Sequence, residues 1–230
     1  MKHEKLKGAT VAIVAMGRSQ VSFALSLAHS EAYDEVWAIN ATGGVYSVDR
    51  MFMMDPPSRF LDTEDAGSQT GLMAKVITKE QAFPIYSCTT DARCPSVEEY
   101  PIEGVIRETG LCYFNNTAAY ALAYAVYQEV GELSVFGIDF SYKNLPHFAE
   151  AGRACCEFWA AVFSARGGVI SVAPESPFMD TNVDPVEKLY GYHRLPDPPH
   201  VSNEEGQLII QPLSQFKAPP EPQDGVLYKG

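Results

Sequence analysis

An α/β fold with a mostly parallel, Rossmann-like sheet flanked by helices follows from three features of the sequence. Residues 9–16, ATVAIVAM, form a nearly unbroken apolar run rich in β-formers, as expected for a strand covered on both faces. Gly17-Arg18-Ser19 breaks the run, and Val21, Phe23, Ala24, Leu27 and Ala28 then recur at helical spacing through residues 20–30. Residues 34–40, DEVWAIN, supply a second short strand. A strand, a tight turn, a helix and a strand in that order build a parallel sheet.

The later elements continue the pattern. RMFMM at 50–54 reads as a third strand, ended by Asp55-Pro56-Pro57. Residues 58–71 are polar and read as a surface loop or short helix. Residues 75–78 and 85–88 read as short strands, the second running into TTDARCPS, a turn-rich stretch. Residues 117–129 are dense in Ala and Leu around Tyr120, Tyr124 and Tyr127 and form a helix that Gly131 stops; the tyrosines belong to its packing face. ELSVFGIDF at 132–140 is the next buried strand. A long helix over 148–166 ends at Gly167-Gly168, and VISVA at 169–173 closes the sheet.

From Pro196 onward seven prolines fall in 35 residues, and only 207–211 resembles a strand. The expected organisation is therefore a nucleotide-binding domain over 1–195 and an extended Pro-rich tail over 196–230.

Composition narrows the function. With 230 residues, 46% of them hydrophobic, the chain is long enough for a sizeable core. Seventeen basic against 29 acidic residues, a net charge of −12, argue against general nucleic-acid binding, which needs clustered cations. No apolar run reaches the ~18–20 residues that span a bilayer, and the stretch 11–16 is too short for a signal peptide. Five cysteines without C-x-x-C spacing (Cys88, Cys94, Cys112, Cys155, Cys156) read as free thiols of a reducing, cytoplasmic setting. Assembly into a homo-oligomer is left open.

The residues suited to chemistry collect at strand ends, where open α/β sheets bind ligands. Gly17, Arg18 and Ser19 form the first strand-to-helix turn, where a glycine lets backbone N–H groups approach a phosphate. Each of Asn40 and Asp55 ends a strand. Asn115, Asn116 and Thr117 precede the Ala-rich helix, and capping needs only one of them. Asp139 interrupts an apolar strand, where an unpaired carboxylate is costly to bury, so it either anchors loops or faces a ligand. His147 lies just before the long helix and is the histidine best placed for proton transfer. No His and carboxylate pattern marks a metal site.

These segments together resemble a known superfamily. NNTAAYALAYAVYQEVGELSVFGIDFSY is similar to a segment shared by small bacterial sialyltransferases and the MptE-like 6-hydroxymethylpterin pyrophosphokinases, in which a polar turn, an Ala-rich helix, a glycine and a strand lead to G-x-D-F. VAIVAMGRSQ stands where those families write G-N-G-P-S, AIN matches their next strand, and VDRMFMMDP matches the strand after it. The resemblance covers roughly residues 9–180. The first turn lacks the second glycine and the proline, and Asn115-Asn116-Thr117 stands where Ser or Thr with Gly is usual. Bacteriophage proteins of unassigned role share the pattern, which makes a viral origin, and a host cytoplasm, an expectation.

The resemblance implies a nucleotide-dependent transferase, most like a glycosyltransferase with a nucleotide-activated sugar donor. Gly17, Arg18, Ser19, Asn40, Asp55, Asn115, Asn116, Thr117 and Asp139 then bind nucleotide and donor, His147 is the general base, and Tyr142 steadies the departing phosphate. No cofactor beyond that nucleotide is implied, and the acceptor is not identified. One alternative is magnesium-dependent pyrophosphoryl or nucleotidyl transfer of the pterin type, with Asp55 and Asp139 as the metal's carboxylates. Another is a non-catalytic protein that binds a nucleotide or a partner.

Overall fold

The first apolar run becomes β1 (Thr10–Val14), which lies within a seven-stranded sheet. The computed structural model describes residues 6–29, 32–141, 145–184, 188, 197, 199–204 and 207–217. The chain divides into two units, Met1–Asn182 and Val183–Gly230.

The other strands of the first unit are β2 (Glu35–Ile39), β3 (Arg50–Phe52), β4 (Ile85–Ser87), β5 (Val97–Glu99), β6 (Glu132–Phe136) and β7 (Val169–Val172). Their order is β5-β4-β3-β2-β1-β6-β7, and every neighbouring pair runs parallel. The expected Rossmann-like architecture is therefore present. The chain leaves β1 toward β2 on one side and returns to it with β6 on the other, so the sheet's topological switch point lies between β1 and β6.

Helices cover both faces, which explains why β1 is apolar without alternation. Val11 and Ile13 pack with α5 (Thr117–Gln128) and α6 (Pro146–Ala165). Ala12 and Val14 pack on the opposite face with Phe23 of α1 (Val21–Ala28). All four are fully buried. In α5 the run Ala121 to Ala125 is buried on nearly every side, and its small residues let the helix lie close to the sheet. Trp159, Phe163, Cys155 and Cys156 of α6 seal this layer.

One buried ion pair sits inside that layer. Arg50, at the start of β3, donates from Nε and Nη2 to Glu35 of β2 at 2.6 and 2.7 Å, and from Nη1 to the Tyr86 hydroxyl at 3.2 Å. Burial opposes the guanidinium's charge, but the Glu35 hydrogen bonds prevail and hold the pKa above its ordinary value. A buried charge is tolerated only with such partners.

One sequence expectation is corrected. Residues 75–78 belong not to a strand but to the end of α3 (Thr70–Ile77), whose buried Met73, Val76 and Ile77 follow the i, i+3, i+4 period. A β-branched run of three had masked that period. Beyond the turn-rich stretch, which the structure keeps as turns, lie β5 and α4 (Ile102–Thr109), which buries Val105 and Thr109 and ends at Gly110 in the left-handed region. A short helix, α2 (Pro57–Leu61), follows β3.

In the second unit, β8 (Pro199–Glu204) and β9 (Gln207–Pro212) pair antiparallel, with Val201 opposite Ile210. The sequence marked only the second of these strands, because Pro199 and a polar run obscure the first. All five cysteines are free thiols; Cys94, Cys155 and Cys156 are buried, and Cys88 and Cys112 are exposed. Among the described residues no helix is long and apolar enough to cross a membrane.

Candidate functional site

The C-terminal ends of β1, β2, β3 and β6 converge with the start of α5 around a cavity of about 730 Å³. That volume lies in the ordinary range for small-molecule sites, and its place beside the switch point is where open α/β sheets take ligands. Gly17, Asn40, Asp55, Asn115, Asn116, Thr117 and Asp139 all line it.

Gly17 and Asp139 belong to a clasp between the two strands that flank the switch point. The Gly17 N–H donates to the Gly137 carbonyl at 2.8 Å. Ser19 is buried; its N–H donates to Asp139 Oδ2 at 2.8 Å, and its hydroxyl donates to Asp139 Oδ1. The same hydroxyl accepts the Gly137 N–H at 2.8 Å. A Cβ on Gly17 would lie 2.5 Å from both Asp139 Oδ2 and the Gly137 carbonyl oxygen, so close packing demands glycine here. Of the two roles open to Asp139, loop anchoring is thus filled. Ser19 stands behind the wall, and Arg18 is exposed and does not line the cavity.

Asn40 is held differently. Its backbone is left-handed at φ 54°, a conformation that asparagine tolerates better than most residues. Its side-chain Oδ1 is buried and accepts no hydrogen bond among the described residues. An orphaned buried acceptor costs about 1–3 kcal/mol, and the residue that carries it lines the cavity.

Asn115 and Asn116 tie α5 to α6. Asn116 Oδ1 caps α5 by accepting the Ala119 N–H at 3.0 Å, and its amide donates to the Asn115 Oδ1 at 2.7 Å and the Gly152 carbonyl at 3.1 Å. Asn115 donates to the Ala151 carbonyl at 2.9 Å. Two adjacent amides are thus used by the fold itself. Thr117 and Ala118, the first helical residues, line the cavity with N–H groups that no intrahelical carbonyl can reach. The Thr117 hydroxyl has no partner among the described residues.

At the far wall, Asp55 ends the β3 segment and is fixed by Ser87, whose hydroxyl donates to the Asp55 carbonyl at 2.9 Å. Arg59 of α2 donates from Nη1 to Asp55 Oδ1 and from Nε to Asp65 Oδ1 at 3.1 Å. Hydrogen bonds to Asp55, then to Asp65, raise the guanidinium's pKa. Arg59 is the one cation lining the cavity among the described residues, and the sequence reading missed it. Its signal was the spacing Asp55-Pro-Pro-Ser-Arg59, an i, i+4 pair at a helix start. Phe114, Tyr120, Phe140 and Phe148 form an apolar part of the lining that was also not anticipated. Burial pushes the Tyr120 phenol up, and neighbouring thiols add to the shift.

His147 lies in the first turn of α6. Its side chain is 99% exposed, with Nδ1 3.6 Å from Glu150, and it does not line the cavity although the next residue, Phe148, does. Tyr142 lies outside the described residues. Among the described residues no group of three His, Cys, Asp or Glu is placed to hold a metal ion; Asp55 and Asp139 line one cavity but are engaged by Arg59 and Ser19.

No known protein family matches this chain, and no curated protein does. Among solved structures it is similar to the sialyltransferase CstII from Campylobacter jejuni in complex with the substrate analogue CMP-3FNeuAc, at 15% identity and a TM-score of 0.46 over 73% of this chain and 81% of that one. A complex of the same sialyltransferase with a trisaccharide acceptor and CMP gives 16% identity and a TM-score of 0.44, over 73% and 82%. A point mutant of α-2,3/8-sialyltransferase CstII gives 14% and 0.44, over 89% and 97%.

Proposed function

We propose that this chain is a nucleotide-dependent transferase, most like a glycosyltransferase, whose cavity holds a nucleotide-activated sugar. The observation that carries the reading is the meeting, at the sheet's switch point, of the α5 N-terminus with Asn40, whose buried Oδ1 has no partner among the described residues. The two supply complementary halves of a nucleotide. The free N–H groups of Thr117 and Ala118, the Thr117 hydroxyl and the helix dipole suit a phosphate. The Asn40 side chain, once turned to bring its buried Oδ1 to the cavity, suits a ribose hydroxyl or a base amino group. This answers the electrostatic problem of an acidic protein with an anionic ligand, since backbone groups rather than lysines neutralise the phosphate.

In the reaction so assigned, the bond between sugar and phosphate oxygen breaks and the electron pair leaves with the phosphate. Tyr142, three residues beyond Asp139, is assigned to steady that charge. The acceptor hydroxyl forms the new bond to the sugar, and His147 takes its proton. The exposure of His147 beside the wall residue Phe148 suits a base that serves an acceptor arriving from solvent.

The test is a thermal-shift and titration screen of the full chain against CMP, UDP, GDP, ATP and their sugars, with Mg²⁺ or with EDTA, followed by product analysis. The reading expects one nucleotide series to bind and its sugar to be consumed, with His147→Ala keeping affinity and losing turnover. Full activity in His147→Ala would remove the base assignment, and loss of turnover with EDTA would favour the metal-dependent alternative. Bound donor that is never turned over points to a binding protein.

A further inference from the structure

We propose that Asp55 and Arg59 read the sugar of the donor as a pair, and that they select a neutral, hydroxyl-bearing sugar over a carboxylated one; this rests on the nucleotide-sugar reading above. Both residues line the cavity on the β3 side, while the α5 N-terminus forms another part of the wall. Their side chains are about one-third exposed, at 32% and 40%, so both are open to a ligand while held by the protein. Asp55 uses Oδ1 for Arg59, which leaves Oδ2 without a partner among the described residues. Arg59 uses Nη1 for Asp55 and Nε for Asp65, which leaves Nη2. The wall therefore offers one strong acceptor beside one strong donor.

A sugar hydroxyl both donates and accepts, so adjacent hydroxyls match that pair: one O–H donates to Asp55 Oδ2, and a neighbouring oxygen accepts from Arg59 Nη2. A carboxylated sugar does not match. The one positive charge of Arg59 is set against the two negative charges of Asp55 and Asp65, so an added carboxylate meets a locally negative wall. The geometry is also fixed before binding. Ser87 pins the Asp55 backbone, and Thr63 orients Asp65 by donating to its Oδ1 at 2.8 Å. Preorganised groups lose little freedom when the ligand arrives.

Titration calorimetry on the full chain tests this with UDP, UDP-glucose and UDP-glucuronate, and with GDP and GDP-mannose. The neutral sugar is expected to bind about tenfold or more tighter than its bare nucleotide, and UDP-glucuronate about tenfold weaker than UDP-glucose. Asp55→Asn and Arg59→Gln should each remove most of the sugar's gain, bringing the ratio of nucleotide-sugar to bare-nucleotide affinity from about tenfold to within about twofold of one. Arg59→Lys, which keeps the charge but not the fork, should behave like Arg59→Gln. Glucuronate binding as tightly as glucose, or variants that weaken bare nucleotide and nucleotide-sugar equally, would overturn the pair's assignment and leave the nucleotide reading standing. Failure of the CMP, UDP, GDP and ATP series alike to bind, bare or sugar-linked, would overturn both.

Discussion

Ser19 and Asp139 lie 120 positions apart in sequence and are joined by two hydrogen bonds, from the Ser19 N–H and from its hydroxyl, in a buried clasp beside the cavity. They connect the turn after β1 to the loop after β6, the two strands between which the sheet reverses its order. The clasp fixes the spacing of that crevice. Ser19→Ala removes one donor to a buried carboxylate and leaves the Gly137 N–H without its acceptor. The expected cost is about 2–3 kcal/mol, or a fall in Tm of roughly 5–10 °C for a chain of this size. Differential scanning calorimetry checks it, and an unchanged Tm would deny the clasp.

Thiol reactivity follows from burial. Cys88 and Cys112 are exposed, whereas Cys94, Cys155 and Cys156 are buried, and burial pushes all three buried thiols above the ordinary cysteine pKa. Since the thiolate is the reactive form, native protein should titrate with two fast equivalents of a disulfide reagent, and all five should react in denaturant. Mass spectrometry of the labelled peptides identifies them. Fast labelling of Cys156 would contradict the packing of α6 against α5.

Acid tests a second clasp. Arg93 donates to Asp62 with both Nη atoms, at 2.7 and 2.9 Å, and to Asp91 at 2.7 Å, tying the segment after β4 to the end of α2. The Arg93 side chain, helped by its own backbone N–H, holds the Asp91 carboxyl down to about 2. A carboxyl depressed on folding contributes stability above its unfolded value near ~3.9 and loses it as pH falls through about 2. Carboxyl-carbon NMR should therefore place the Asp91 midpoint near 2 and show it rising in Arg93→Gln. A midpoint near ~3.9 in the wild type would mean that the tie is absent.

Much of this architecture was legible in the sequence because the central strands are covered on both faces and so carry apolar runs that no turn imitates. The edge was harder to read. β5 has only three residues, two of them exposed glutamates, and its pairing with β4 is a tertiary fact. At the site, the strand-end residues Gly17, Asn40, Asp55 and Asp139 were visible because each interrupts an apolar pattern. Arg59 was not, since a cation at helical spacing from an aspartate reads as an ordinary surface pair until the fold turns it onto a cavity. Asn115 and Asn116 were visible as two adjacent amides; both help join α5 to α6, and both line the cavity.

Asn40 should show a trade between stability and binding. Asn40→Gly relieves the left-handed backbone and removes a buried oxygen that has no partner among the described residues. Its Tm is expected to equal or exceed that of the wild type, with nucleotide affinity reduced. A fall in Tm of more than roughly 5 °C would show that the side chain serves the fold instead.

The most direct test of the nucleotide cavity is calorimetric titration of the wild type and of Asn40→Gly with the nucleotide series. A single site is expected on the wild type, with a Kd of about 1–100 μM for one series, weakened about tenfold or more in Asn40→Gly. No binding of any nucleotide or nucleotide-sugar at about 1 mM, or equal affinity for the two proteins, would contradict it.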